Sequence, residues 1–557
     1  MFILTRGRRL RLVTVTLTAL FTMVVSPRGL VAQAIPDRLP GASADVRMMV
    51  DTLEANDPKL RLLGVRAAFD SLARVVISEV DTLPRARAIM EIDRLVASLN
   101  DGHTQLGLWW DERVNFARYP LRVFLFADGV FVTRASQASR VLLGKRLVRI
   151  GTVPIDTVIR RLRPFLHGDN EMSRRDILET RLLLHEVLQT VGAAGASDAR
   201  FVIADSAGQL DSVTLSPSRT DKSTPALSAR DADIPAPLYL QHPSTTYWFA
   251  PVAGNPTMYA QINAMQSDSG YSFTQFCDSL IRSLDRQRSN RLVLDLRLNN
   301  GGDNTLDDTL VHRLIRTTRI DRSGRLYVIV GRKTFSAAVN LTAELQRHMH
   351  VILVGEPTAA PANHFGETRR LILPGSGITV LYSTLYWQSG DPRDTSEWIA
   401  PTILTPLFFA DYRKNRDPAM DAVLSRRLSE SMGRKDLANP SRAEELLHRP
   451  IRFANRIPMV ASPREIRIGK RNPSVRPAAQ NIPRRRFAIN AKEKSRLRIH
   501  VRVSPPIQND PRDVPARIEP ARREHVAELL AERALVLRKR GPEQLRRIVF
   551  PTKTLDS

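Results

Sequence analysis

Residues 291–349 read RLVLDLRLNNGGDNTLDDTLVHRLIRTTRIDRSGRLYVIVGRKTFSAAVNLTAELQRHM. The apolar run from Leu292 to Leu296 has the length of a buried strand and ends in Asn299-Asn300-Gly301-Gly302. Helical patterning follows Asn304, a second apolar strand ends at Gly331, and Ala338, Leu341, Leu345 and Met349 recur at helical spacing from about Ser336. Strand, helix, strand, helix in that order predicts an α/β layer with its strands in parallel. Working outward, the alternation extends over 246–407: YAQINAM precedes it, and VILVGE and LILPGSGITVLYS follow.

Towards the N-terminus the pattern changes twice. Between 119 and 217, short β-rich runs (LRVFLFADGVFVTRA, KRLVRIGTVPI, ARFVIADSAGQLDSVTL) with the turn pair Asp128-Gly129 predict a compact β-rich module, with one helical run near 171–191. A polar Ser/Asp/Pro stretch over 216–244 reads as a linker. Residues 35–118 read as a helical domain, in which VRMMVDTLEAND and LLGVRAAFDSLARVVISEV carry apolar residues at helical spacing and Pro84 opens a third helix. At the extreme N-terminus, Arg6, Arg8, Arg9 and Arg11 precede an apolar run from Leu12 to Val25 and the small-residue pattern Ala32-Gln33-Ala34. That run is short for a bilayer span of about 20 residues, so 1–34 is expected to be a secretory signal peptide cleaved after Ala34, with the product secreted or periplasmic.

Composition narrows the class. Of 557 residues, 43% are hydrophobic and 25% charged, which disfavours wholesale disorder and a multi-span membrane protein. The single cysteine, Cys277, excludes an internal disulfide and a cysteine-based zinc site. The formal net charge of +26 is unevenly spread. Residues 434–557 hold 30 Lys and Arg against 13 Asp and Glu, whereas 35–432 are close to neutral, so no nucleic acid is expected to bind the core. The basic end, with 24 arginines, many prolines and only REHVAELLAERALVLRKR helical in pattern, reads as a disordered tail or a stretch in the wrong frame, and as a polybasic arm in its functional alternative. No stable membrane insertion is expected of the mature chain.

Three segments could carry chemistry. The Gly301-Gly302 pair lets backbone N–H groups approach an oxyanion, although Asn-Gly-Gly is also an ordinary strand-ending turn. Ser336 sits at a strand-to-helix corner, where free N–H groups and the helix dipole favour developing negative charge; an N-cap serine stands in the same place. His103, after Asn100-Asp101-Gly102, supplies the imidazole a serine hydroxyl needs as base, and is equally readable as an exposed turn histidine. Ser267-Asp268-Ser269-Gly270 resembles an aspartic-protease signature but has no second copy. No H-E-x-x-H, G-x-G-x-x-G or EF-hand pattern occurs.

Taken in order, DGHT (101–104), DLRLNNGG (295–302), GRKTFSAA (331–338), VGEPTAAPANHFGE (354–367), LPGSGITV (373–380) and RDPAMDAVL (416–424) resemble the C-terminal-processing, or tail-specific, serine peptidase family. Its broader relatives include the tricorn core protease and the interphotoreceptor retinoid-binding proteins. The resemblance implies a crotonase-like spiral α/β catalytic core over 245–433 and a PDZ-like module over 119–215, whose segment 142–162 carries the likeness. It implies a serine endopeptidase acting on peptides or unfolded proteins, without metal or organic cofactor. Bacterial members with a Ser-Lys dyad place the lysine after the serine, but no lysine lies between Ser336 and Lys414, and Lys333 stands upstream. The pattern therefore resembles the tricorn-type branch, with Ser336 as nucleophile, His103 as base, and an oxyanion hole of Ala337 with Gly301 or Gly302. The resemblance places the assisting acid at Glu397, with Glu367 as competitor and His364 as runner-up base. The non-catalytic alternative is a relative that binds peptides or apolar ligands.

Overall fold

The computed structural model describes residues 37–426 except 222 and 224; the signal-like segment and the basic tail lie outside the described residues. Three helices open it: α1 (Ala42–Asn56), α2 (Leu63–Glu79) and α3 (Arg85–Ala97), the last begun by Pro84, whose missing N–H costs nothing there. A short strand β1 (Gln105–Leu106) follows the turn after α3. Next come a hairpin, β2 (Leu121–Phe126) and β3 (Gly129–Ala135), then β4 (Arg146–Ile150), β5 (Val153–Pro154) and helices α4 (Ile155–Leu162), α5 (Glu171–Arg181) and α6 (His185–Thr190). Strands β6 (Ala199–Ala204), β7 (Leu210–Leu215) and β8 (Leu227–Ser228) complete an antiparallel sheet of order β2-β3-β4-β6-β7, with β5 on β4 and β8 on β3.

A second sheet follows: β9 (Tyr247–Pro251), β10 (Thr257–Ile262), α7 (Phe273–Arg286), β11 (Arg291–Asp295), α8 (Asp307–Arg316), β12 (Leu326–Val330), α9 (Ala337–His348) and β13 (Val351–Gly355). The chain then runs through a long hairpin, β14 (Asn363–Ile372) and β15 (Thr379–Gln388), and β16 (Ile403–Leu404), to α10 (Phe409–Arg413) and α11 (Pro418–Leu424). The six strands lie in the order β16-β13-β12-β11-β10-β9, parallel except for β9 on β10. Each step moves one place in the same direction, and right-handed crossovers therefore put α7, α8 and α9 on one face. Side-chain alternation then sorts the core. Met258, Ala260, Leu292, Leu294, Val328 and Val330 pack towards those helices, whereas Tyr259, Val293, Tyr327 and Ile329 pack with Met420 and Val423 of α11. Burial on both faces is why these strands are continuous apolar runs rather than alternating ones.

The third sheet, β1-β15-β14, decides where the site forms. Gln105 and Leu106 pair with Leu381 and Val380, so the segment after α3 is drawn to a hairpin nearly three hundred residues later. One apolar cluster runs from Leu39 through Leu215 and includes Leu373, Ile378 and Val380, joining the N-terminal helices, the antiparallel sheet and this hairpin. The stretch read as a linker folds back onto the sheet: Arg118 and Ser218 form a β-bridge, β8 pairs with β3, and Tyr239 is buried. Among the described residues no helix is long and apolar enough to cross a membrane.

Candidate active site

Two loops at the C-terminal ends of parallel strands β11 and β12 stand side by side, the crevice where α/β sheets present chemistry. Thr334 stitches them: its hydroxyl donates to the Leu296 carbonyl at 2.9 Å and accepts from Gly331 N–H at 2.9 Å, while Phe335 N–H donates to the Asn299 carbonyl at 3.1 Å. Gly301, at φ 101°, is required by space as well as conformation, since a β-carbon there would lie 2.5 Å from Ser336 Cβ. Gly302, at φ 135°, would drive a β-carbon to 2.1 Å from the Met265 carbonyl oxygen.

Ser336 occupies the N-cap position of α9 with φ 54° and ψ −128°, and its side chain makes no capping bond. Its Oγ instead meets His103 Nε2 at 2.9 Å. His103 arrives from the other end of the chain. α3 ends at Ala97, Asn100 stands in the left-handed region at φ 50°, and the chain turns through Asp101 and Gly102 into β1. Gly102 is pressed between Asp169 and the Phe335 ring, where a β-carbon would have 2.6 and 2.7 Å contacts. The His103 ring stacks on Phe335 with centroids 4.3 Å apart and lies parallel to His364 at 5.7 Å.

Burial disfavours the charged form of this imidazole. Burial lowers the His103 pKa below the ordinary value, and the Asp101 charge and the Phe365 backbone only partly offset it. Asp101, fully buried, is opposed by burial too, but His103 and hydrogen bonds from Ser383 and Thr104 hold it below the usual carboxylate range. Asp169, which accepts from Gly102 N–H at 3.1 Å, is pushed up to about 8 by burial and by Asp101. Donor atoms of Asp101, His103 and Asp169 lie within 4.8 Å of one another. His103 Nε2 is engaged by Ser336 and both Asp101 oxygens accept hydrogen bonds, so these atoms are already committed within the protein.

The structure brings Ser336, His103, Ala337 and Gly302 to one cavity of about 650 Å³, lined also by Phe335, Trp110, Trp387 and Glu367. It corrects Gly301 as an oxyanion donor: its N–H is already given to Asn299 Oδ1 at 2.8 Å. The N–H groups of Gly302 and Ala337 find no acceptor among the described residues. Glu397 is not brought to His103; its side chain is exposed in a separate hollow, and its carbonyl accepts from Asn170 at 2.8 Å. Glu367 stands exposed at the cavity rim with φ 57°. His364 gives Nδ1–H to the Pro361 carbonyl at 3.0 Å, is pushed down to about 4 by burial and by His103, and does not contact Ser336. Lys333 is held by Asp176 at 2.8 Å. Sequence reasoning missed Asp101, Thr104 and Ser383 as a unit; the only signal was the Asp two places before His103.

No family model and no curated protein matches the chain. Among solved structures it is similar to mature CPAF complexed with lactacystin, at 13% identity over 69% of this chain and 96% of that one, with a TM-score of 0.48. It is also similar to the photosystem II D1 C-terminal processing protease, at 14% over 71% and 99% with a TM-score of 0.35. A third likeness is to the tricorn protease, at 13% over 72% of this chain and 37% of that one, with a TM-score of 0.27.

Proposed function

We propose that the chain is a serine endopeptidase of the tail-specific, tricorn-like kind, exported by its leader and acting on peptides or unfolded proteins. The observation that carries this reading is the 2.9 Å contact of Ser336 Oγ with His103 Nε2, made across 233 positions of sequence at the mouth of a cavity. Ser336 Oγ attacks the scissile carbonyl while its proton passes to His103 Nε2. The tetrahedral oxyanion lies against the N–H groups of Gly302 and Ala337, preorganised by the glycine turn and the first turn of α9. The His103 imidazolium then protonates the leaving amine, and water, deprotonated by the same ring, releases the acyl group from Ser336. This chemistry calls for no cofactor. The same reading takes the β10–β13 sheet with α7–α9 as a crotonase-like core and the β2–β8 sheet with α4 as a PDZ-like module, supported by strand order and by the motifs they carry.

A fluorophosphonate probe is expected to label the wild-type protein and not Ser336→Ala, with hydrolysis of casein lost in parallel. Turnover retained by Ser336→Ala would overturn the assignment; peptide binding without labelling or turnover in the wild type would favour the non-catalytic reading.

A further inference from the structure

One atom of this machinery makes no close hydrogen bond among the described residues. His103 is nine-tenths buried, its Nε2 faces Ser336, and its Nδ1 has no hydrogen bond among the described residues. For Nε2 to accept the serine proton, Nδ1 must carry the hydrogen of the neutral ring, and some group has to hold that tautomer and balance the imidazolium that forms. The Phe365 backbone also favours the charged ring but carries no charge to balance it, and the carboxylate nearest Nδ1 is Asp101, with Oδ1 at 4.0 Å.

Accepting Ser336 and His103 as nucleophile and base, we infer that Asp101, two residues before the base, is the positioning acid of this site, and that neither Glu397 nor Glu367 fills that role. Its own support is built from three parts of the chain. Thr104 Oγ1 and Ser383 Oγ each donate to Oδ2 at 2.6 Å, and His103 N–H donates to Oδ1 at 3.0 Å. Thr104 Oγ1 in turn accepts Ser383 N–H at 3.1 Å, so β15 clamps the acid through the residue that follows the base. Oδ2 accepts two hydrogen bonds and Oδ1 one, which leaves Oδ1, the oxygen nearer Nδ1, with capacity for another. Three donors and no exposure make this a carboxylate held charged in one orientation, which is what an orienting acid requires. Other titratable groups surround it: Asp57 and Lys59 from the turn after α1, His167 and Asp169 from the loop before α5, and His364 from β14. Lys59 gives a hydrogen bond to the Asn100 carbonyl, and Asp169 takes Gly102 N–H, so each is tied to the turn rather than to the ring. During attack the serine proton moves to Nε2, Nδ1 keeps its hydrogen, and Asp101 remains ionised throughout.

Asp101→Asn tests this by rate and by pH profile. The amide preserves volume and removes the charge, so kcat is expected to fall by about 10²–10⁴-fold with KM nearly unchanged. Because the Asp101 charge raises the His103 pKa, the acid limb of kcat/KM is expected to move to lower pH in the variant. A purely structural role for Asp101 would lower yield or stability and leave that limb in place. Ser383→Ala keeps the charge but removes one compensating donor, and should show a smaller loss with the limb moving the opposite way, because a carboxylate relieved of a donor acts more strongly on the ring. Titration of the His103 ring by NMR, in Ser336→Ala with and without Asp101→Asn, reads the coupling without turnover; a lower ring pKa in the double variant is expected. An unmoved ring pKa would overturn the proposal, as would an unmoved limb with kcat within about threefold of wild type, or Glu397→Gln moving the limb in its place. If Asp101→Asn does not fold, an unmoved limb in Ser383→Ala overturns it. Failure of the underlying reading looks different: wild-type protein that the fluorophosphonate does not label.

Discussion

Ser336 has a positive φ that a β-carbon disfavours, at a cost of about 1–3 kcal/mol, and the turn at Gly301 and Gly302 keeps it there. In place of a capping bond, the Oγ at this helix N-terminus meets His103 in the lining of the cavity. Ser336→Ala and His103→Ala should each lower kcat/KM by about 10³-fold or more, and the double variant should be no worse than either, because the two act as a unit. His364→Ala should lose much less, its Nδ1 being tied to Pro361 and its ring serving as a stacking plate for His103. The pH profile follows from His103. In the proposed mechanism the neutral ring is the active form and activity rises with pH through its pKa; burial lowers that pKa, so the acid limb of kcat/KM should have its midpoint below the ordinary imidazole value of 6.5. Asp169 gives the opposite kind of dependence. Its carboxyl is protonated in the fold up to about pH 8 but ionised in the unfolded chain above about 4, so it lowers stability progressively as pH rises between those values. Asp169→Asn should therefore raise the thermal midpoint at pH 8 more than at pH 5, with activity at neutral pH retained because the amide oxygen can still accept Gly102 N–H.

At the scale of elements, the corner between β12 and α9 depends on what holds the residues before it. Arg332 is buried, with Glu356 on Nε and Nη2 at 3.1 and 2.9 Å, and Glu179 of α5 and the Leu125 carbonyl of β2 on Nη1 at 3.2 and 2.9 Å. The turn before Ser336 is thus bolted to the antiparallel sheet. Arg332→Ala takes the guanidinium away from both Glu356 and Glu179, a loss of up to about 3–5 kcal/mol for a buried pair, and should lower the denaturant midpoint together with kcat. Gly301→Ala acts more locally. A methyl 2.5 Å from Ser336 Cβ has to displace the nucleophile, so activity should fall by about 10²-fold or more while the thermal midpoint moves comparatively little, which parallel rate and melting measurements would show. Much of this level was legible in the chain. Helical spacing marked α1 to α3 and α9, and unbroken apolar runs marked β11 and β12, since each pattern reports the local geometry of a few neighbouring residues.

For the whole molecule, the parallel sheet is closed on its second face by α11, and buried Arg291 donates to the carbonyls of Val423 and Arg426 at 2.8 and 2.6 Å. A chain ending at Ala438 should therefore keep the thermal midpoint and the rate on a neutral peptide; a core that unfolds on this truncation would show that later residues dock on it. What the sequence by itself determined is what lies within reach of a few residues: the helices, the strand runs, the Asn-Gly-Gly turn, the serine at a strand-to-helix corner. The pairing of that serine with His103 was readable only through the order of motifs, because no periodicity spans 233 positions. Tertiary structure alone decided the rest. Pairing of β1 with β15 brought Asp101 and Ser383 together, Asn299 claimed the Gly301 N–H, and Glu397 was left exposed. Each of these is a contest for one hydrogen bond or one buried position between segments far apart in the chain, and its outcome is set by packing of the complete fold rather than by the preferences of either segment.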